Sequence, residues 1–119
     1  MKFCQKIIGK PKNFHEAKSF IQTFSGRRHK VYTGVTVLGP NSEVTTKYVI
    51  SIVKFKKLSV REIEDYVSLG EWKNKSGGYS LQGAASVFIM FISGSYSSIL
   101  GLPIYETYRS LLKFGYKTN

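Results

Sequence analysis

NKSGGYSLQGAASVFIMFISGSYSSILGLPIYE, residues 74–106, is the stretch of sequence that decides the fold. Its glycines mark positions at which backbone geometry matters more than a side chain. Between them, residues 87–92 form an unbroken apolar run of strand length, too short for a membrane span of about 20 residues. The run therefore predicts a buried central strand.

Uncharged hydrogen-bonding side chains flank this predicted strand on both sides. They are Tyr79, Ser80 and Gln82 before the strand, and Ser93, Ser95, Tyr96, Ser97 and Ser98 after it. Such groups around a hydrophobic element are typical of a pocket for a polar ring rather than of a catalytic centre. The stretch therefore predicts a binding pocket.

Two amphipathic helices are predicted upstream. Asn13 with Glu16, and Ser59 with Glu62, have the three-residue spacing of helix caps, so Glu16 is better explained as a capping residue than as a catalytic acid. Apolar residues recur at helical spacing behind each cap. They are Phe14, Ala17, Phe20, Ile21 and Phe24 in the first helix, and Val60, Ile63, Tyr66 and Val67 in the second.

Residues 29–38 and 43–55 are rich in Val, Thr, Tyr and Ile and flank Gly39-Pro40-Asn41-Ser42, which predicts a β-hairpin. Apolar residues occur on both faces of the second strand, so both faces are expected to be at least partly covered. Pro103 is placed to begin a last helix that Gly115 ends. Its inward face is predicted to hold Ile104, Tyr108, Leu111 and Leu112.

These elements predict one α/β domain over residues 1–119, with a mixed β-sheet and helices packed against it. The single cysteine, Cys4, excludes an internal disulfide and is expected to be a bystander. The N-terminal residues show neither a signal peptide nor a membrane span. We therefore expect a cytoplasmic protein.

The net charge of +11 is concentrated in residues 1–57, which hold twelve Lys and Arg against two acids. A basic half favours polyanions, although scattered lysines often provide only solubility. No zinc-finger spacing, aromatic ribonucleoprotein motif or helix-turn-helix is present, so nucleic acid is not the expected partner. A basic RNA-binding domain stays the least favoured of three function classes.

Read in order, short motifs in this chain resemble the Maf family of nucleoside triphosphate pyrophosphatases, and within it the dTTP/UTP pyrophosphatases. The motifs run from Ile8-Gly9-Lys10-Pro11, through Ser25-Gly26-Arg27-Arg28-His29-Lys30-Val31-Tyr32-Thr33-Gly34-Val35, to Gly77, Tyr79, Leu81-Gln82-Gly83, Gly94-Ser95-Tyr96, Gly101-Leu102-Pro103 and Glu106. The resemblance covers the C-terminal part of the family. It implies an N-terminally truncated Maf-like fold.

The resemblance also implies substrate-binding residues. Lys10 matches a phosphate-side lysine, Lys75 matches the lysine of an Asp-Lys-Ala-Gly motif, and Gln82 matches the glutamine associated with thymine or uracil bases. An ammonium suits a phosphate, and a carboxamide offers a donor and an acceptor to a base. The alternatives are a solvated lysine and a glutamine that hydrogen-bonds local backbone. Asn74 stands where the family usually has Asp.

The family's phosphate loop and catalytic Asp have no match here, so we assign no catalytic or metal-ligating residue and expect the chain alone to be inactive. The family implies a divalent metal, Mg²⁺ or Mn²⁺, and no organic cofactor. The rival interpretation is a non-enzymatic nucleotide-binding remnant or subunit. The expected ligand is a nucleoside triphosphate. The expected protein partner is either a second copy of the chain or a separately encoded N-terminal half, which would bind at the Ile7–Ile8 side. No membrane association is expected.

Overall fold

The computed structural model describes residues 2–3 and 6–115, with side chains from residue 8 onward. Cys4 and the side chain of Ile7 lie outside the described part of the chain. The elements are β1 (Lys2–Phe3), β2 (Lys6–Ile7), α1 (Phe14–Phe24), β3 (Arg28–Leu38), β4 (Val44–Phe55), α2 (Val60–Ser68), β5 (Ile89–Ser93), α3 (Tyr96–Ile99) and α4 (Ile104–Lys113). Two 3₁₀ turns, Ser76–Gly78 and Ala84–Phe88, lie between α2 and β5.

The predicted α/β class is confirmed. Five described strands form one sheet in the order β2-β1-β3-β4-β5, and each described pair is antiparallel. Its centre is the long hairpin β3–β4, which pairs from Arg28↔Lys54 to Leu38↔Val44, within one residue of the predicted runs. The described residues contain no helix with the length and apolar character needed to cross a membrane.

Local hydrogen bonds start α1 and α2 where the sequence predicts. The Asn13 side chain accepts from the Glu16 amide at 2.9 Å, and the Glu16 carboxylate accepts from the Lys12 amide. Ser59 and Glu62 form a reciprocal capping box. Glu16 is therefore a capping residue, as predicted.

The core lies between α1, α2 and the base of the hairpin. Phe24, Phe55 and Val53 are completely buried there. An ion pair from Lys18 to Glu64, at 3.2 Å, joins the two helices at the surface. The structure measures 53 × 28 × 26 Å because the hairpin extends well beyond this core.

One prediction about burial is wrong, and a second holds only in part. The predicted central strand is instead the edge strand β5 of the described sheet, and Val87 and Met90 are 76% and 62% exposed. An apolar run shows strand propensity but not whether neighbours cover both sides. The second face of β4 is covered only near the base of the hairpin, where Ile52 and Lys54 are half-buried. Tyr48 and Ile50 on the same face are exposed, because no described helix packs over them.

The predicted inward face of the last helix is wrong at three of its four positions, and only Leu111 is half-buried. Pro103 precedes α4 as predicted, but Ile104, Tyr108 and Leu112 are exposed. The buried side of α4 instead carries Ser110, which is 1% exposed. Ile8 is buried in the core, so its side chain is not available as an association surface.

Candidate functional site

A cavity of about 520 Å³ borders strand β3. The described lining consists of residues 31–34, 75–76, 79–82 and 98–101. The sequence predicted a pocket from polar residues on both sides of an apolar run, and the structure brings Tyr79, Ser80, Gln82 and Ser98 together here. The volume falls within the roughly 300–1,000 Å³ typical of small-molecule sites.

Residues 75–84, which supply six of the fourteen described lining residues, are held by hydrogen bonds near both ends. Near one end, the Gly77 amide donates to the Gly9 carbonyl at 2.9 Å, with Gly77 in the left-handed region at φ 72°. At the other, the Ala84 amide donates to the Glu71 carboxylate at 2.8 Å. A Cβ on Gly83 would lie 2.6 Å from that carboxylate, so a larger residue there would displace the Glu71 side chain from its present position.

Tyr79 forms the floor of the cavity through a buried hydrogen bond. Its hydroxyl lies 2.6 Å from His29 Nε2, and the His29 ring stacks on Phe24 at 4.0 Å. Burial lowers the pKa of His29 from its ordinary value of 6.5 to about 4, and burial also raises the pKa of Tyr79. Both groups are therefore neutral near pH 7, and their hydrogen bond holds Tyr79 in place at the floor of the cavity.

His29 was not predicted as part of this site. The sequence placed it at a strand entrance without a function, and the only available signal was its spacing. It precedes Val31 by two residues, so both side chains share the buried face of β3. The contact with Tyr79, fifty residues away, is a tertiary pairing that periodicity does not show.

The three predicted substrate residues occupy different places. Lys75 and Gln82 both line the cavity, whereas Lys10 is exposed and is not part of the described lining. Lys10 follows Gly9, whose carbonyl accepts from Gly77, so it lies near the Lys75 segment in space. The phosphate role of Lys10 stays a prediction.

Gln82 has its carboxamide available. Its backbone amide donates to Ser80 Oγ at 3.2 Å, while its side chain makes no hydrogen bond to the described residues. The alternative in which the carboxamide satisfies local backbone is therefore not what the structure contains. Lys75 likewise has no carboxylate within ion-pair distance in the described part of the chain.

The serines after β5 have a mainly structural role. The buried Ser51 hydroxyl accepts from the Ser95 amide at 3.0 Å and lies 3.1 Å from Ser98 Oγ, which donates to the Ser95 carbonyl. These bonds fasten α3 to β4. Of the predicted serines after the strand, only Ser98 lines the cavity, and its hydroxyl is already occupied.

The described lining of the cavity contains no Asp or Glu. The described residues also contain no group of three or more His, Cys, Asp and Glu side chains that could hold a metal. Mg²⁺ and Mn²⁺ prefer carboxylate oxygens, so these residues do not fit a divalent metal site by themselves. The site offers a cation and uncharged hydrogen-bonding groups.

The structure is an α/β domain with a cavity lined by one lysine and by uncharged polar and apolar residues. Comparison with known proteins specifies the class: residues 1–114 match the family described as "Maf-like protein". The chain belongs to the Maf family, as its motifs predicted.

Several curated relatives match closely. A dTTP/UTP pyrophosphatase of Wolbachia sp. subsp. Brugia malayi is 50% identical over 105 residues, which are 87% of this chain and 53% of the relative. A dTTP/UTP pyrophosphatase of Zymomonas mobilis is 46% identical over 94% of this chain and 55% of its own length. A nucleoside triphosphate pyrophosphatase of Ehrlichia ruminantium is 44% identical over 92% of this chain and 57% of its own length. The chain thus spans about half the length of these relatives.

Proposed function

We propose that this chain is the nucleotide-binding part of a Maf-type nucleoside triphosphate pyrophosphatase, a hydrolase of nucleotide metabolism. The main support for this proposal is that Lys75 and Gln82 line the same cavity, beside the buried Tyr79. The Gln82 carboxamide makes no hydrogen bond to the described residues, so it is available to a ligand. The ligand would be a dTTP-like or UTP-like triphosphate, a proposal supported by the similarity to dTTP/UTP pyrophosphatases.

In this proposal the carboxamide of Gln82 reads the pyrimidine edge, because it can donate and accept at once. The Lys75 ammonium attracts phosphate, with Lys10 adding charge from the neighbouring segment. The neutral His29–Tyr79 pair keeps the floor fixed, so little reorganisation is needed on binding. Anions approach readily because the chain carries a net charge of +11.

We further propose that the chain alone does not turn over the nucleotide. Hydrolysis needs a group that activates water, and general-base help alone is worth about 10²–10⁴-fold. The described lining supplies no carboxylate for that task. The Mg²⁺ or Mn²⁺ implied by the family would be held by substrate phosphates or by carboxylates from outside the described residues.

A second candidate is a non-enzymatic remnant or subunit that binds nucleotide and acts with a separately encoded N-terminal half. The observation that favours it is the absence of Asp and Glu from the described lining. Both candidates share the pocket and differ in whether turnover appears when the other half is supplied. A cytoplasmic location remains part of the proposal.

Titration of the four common triphosphates by calorimetry or NMR tests the pocket. We expect weak binding with dTTP or UTP preferred over ATP. Gln82→Ala should erase that preference by removing one or two hydrogen bonds, each worth about 0.5–1.5 kcal/mol, and Lys75→Ala should weaken every triphosphate alike. Gln22→Ala on α1 and the exposed Lys57→Ala are the matched controls.

Equal affinity for all four triphosphates, lost together as salt rises, would instead mean a basic patch, because screened attraction ignores the base. Activity is assayed in parallel as pyrophosphate release from dTTP and UTP with Mg²⁺ or Mn²⁺. Release above background by the purified chain, abolished by Lys10→Ala, would contradict the proposed inactivity.

A further inference from the structure

Helix α4 packs with its polar side inward. It lies along β3, and its C-terminal end reaches the end of that strand, where a Cβ on Gly39 would meet the Phe114 ring at 2.6 Å. The side toward the hairpin carries Thr107 and the almost fully buried Ser110, whose hydroxyls have no hydrogen-bond partner among the described residues. This interface therefore gains little from the apolar residues of the helix.

The opposite side of α4 is an exposed apolar stripe, which we call the α4 stripe. Ile104, Tyr105, Tyr108 and Leu112 are 64%, 63%, 40% and 41% exposed. At 100° per residue these four positions fall within one arc of about 100°, because residues 104, 108 and 112 are four apart. A helix normally buries such an arc, so its exposure indicates a contact surface.

We propose that the α4 stripe joins two copies of this chain, with the two helices antiparallel and a two-fold axis near Tyr108. The stripe is suited to its own copy because Ile104 and Leu112 lie four residues to either side of Tyr108. Ile104 of one copy would meet Leu112 of the other, and Tyr108 would meet Tyr108. A contact of this kind is self-complementary, as a two-fold interface requires.

The charges on α4 favour the antiparallel arrangement. The only acid of the helix, Glu106, lies in its first turn, and Arg109 and Lys113 follow toward its C-terminal end. The three lie on one flank of the stripe, and antiparallel pairing sets the same flanks of two helices side by side. Glu106 of each copy then lies level with the basic end of the other helix, whereas parallel pairing sets opposite flanks side by side and gives Glu106 no basic partner.

The remaining charge of the protein does not oppose this contact. Residues 1–57 carry twelve Lys and Arg against two acids, whereas α4 holds one acid and two bases. The excess positive charge therefore lies mainly outside the stripe. A high net charge would disfavour most other contacts between copies.

The exposed area of the stripe sets the strength of the dimer. Four side chains at these exposures offer on the order of 400 Å², about half of the roughly 800 Å² per partner of a standard interface. We therefore expect a weak, reversible dimer. The Ile104 amide donates to Ser97 Oγ at 3.0 Å, so the contact also steadies α3, which supplies Ser98 and Ile99 to the cavity lining.

Disulfide trapping in a Cys4→Ser background tests the geometry. Tyr108→Cys should link to itself under mild oxidation, because only positions near a two-fold axis meet their own copy within the 4.4–6.8 Å Cα separation that a disulfide needs. Ile104→Cys and Leu112→Cys should link to each other in a mixture and poorly alone. Val60→Cys, a similarly exposed apolar position on α2, is the control.

Trapping of Tyr108→Cys no faster than Val60→Cys would overturn the proposal, and self-linking of Ile104→Cys would overturn the antiparallel arrangement. Sedimentation equilibrium gives an independent readout with the otherwise unmodified chain. Tyr108→Glu should raise the dissociation constant at least tenfold, and Val60→Glu should leave it unchanged. Equal effects of the two substitutions would also overturn it, and neither readout depends on nucleotide binding.

Discussion

Helices α2 and α4 have similar lengths and similar amphipathic patterns, yet they pack in opposite ways. Helix α2 buries Ile63, Tyr66 and Val67 against the core, whereas α4 exposes Ile104 and Tyr108. The difference lies in the surfaces that they meet. Helix α2 faces the aromatic cluster at the base of the hairpin, and α4 lies along the projecting part of β3.

An apolar stripe in the sequence therefore predicts that a helix face will be buried, but it does not predict which surface will bury it. In α2 the same chain supplies the cover. In α4 the described residues do not, and the buried side of the helix is left with unpaired hydroxyls. The first helix contributes to the stability of the folded chain, and the second carries a surface for association.

The largest expected effect comes from the same substitution in the two helices. Ile63 is 4% exposed and Ile104 is 64% exposed. Ile63→Ala should lower the free energy of unfolding by about 2–5 kcal/mol, because it removes buried methyl groups and leaves a cavity. Ile104→Ala should change it by no more than about 0.5 kcal/mol. Urea denaturation at submicromolar protein, below the expected dimer range, measures both.

Comparable losses in the two variants would mean that α4 also packs its apolar side onto the same chain. That result would remove the distinction between the helices and with it the α4 stripe. A loss of stability in Ile104→Ala that appears only at high protein concentration would instead support the comparison, because Ile104 would then stabilise the association of two copies and not the single folded chain.

The second largest expected effect is a loss of stability at low pH, caused by His29 at the buried base of the hairpin. Burial lowers the pKa of His29 from 6.5 to about 4, so the folded state keeps this ring neutral while the unfolded state takes up a proton below pH 6.5. The unfolded chain then binds more protons, and stability must fall as the pH drops from 6.5 toward 4. The full loss is on the order of 3 kcal/mol.

Unfolding free energies measured between pH 7.5 and 4 check this loss. His29→Phe should flatten the dependence in that window, although removing the bond to Tyr79 lowers the stability at pH 7. The same substitution at the exposed His15 is the control. An unchanged slope in His29→Phe would show that the acid sensitivity arises elsewhere.

Local interactions were the predictable part of this fold. The caps at Asn13 and Ser59 are right because their hydrogen bonds span three residues, and the hairpin is right because its strands adjoin in sequence. Of the predicted site residues, Lys75 and Gln82 lie together because one short segment carries both.

Burial was less predictable because it depends on which surfaces meet. The apolar run in β5 has the composition of a central strand, but it is an edge strand among the described residues. The pairing of His29 with Tyr79 and the inverted packing of α4 also join residues distant in sequence. No periodicity within one element determines such contacts.

The smallest expected effects are changes in unfolding free energy on replacing two serines, Ser110 and Ser98, by alanine. The two changes should have opposite signs. Ser110 is buried in the α4 interface with no hydrogen-bond partner among the described residues, whereas Ser98 donates to the Ser95 carbonyl at 2.9 Å. Ser110→Ala should raise the free energy of unfolding by about 1 kcal/mol, because it removes a buried unpaired hydroxyl, and Ser98→Ala should lower it by a similar amount. Ser19→Ala, exposed within α1, measures the helix-propensity part alone and is subtracted from the Ser110 result. A net loss in Ser110→Ala after that subtraction would mean that the hydroxyl has a hydrogen-bond partner, such as a buried water, and that the polar side of α4 is a satisfied interface rather than a weak one.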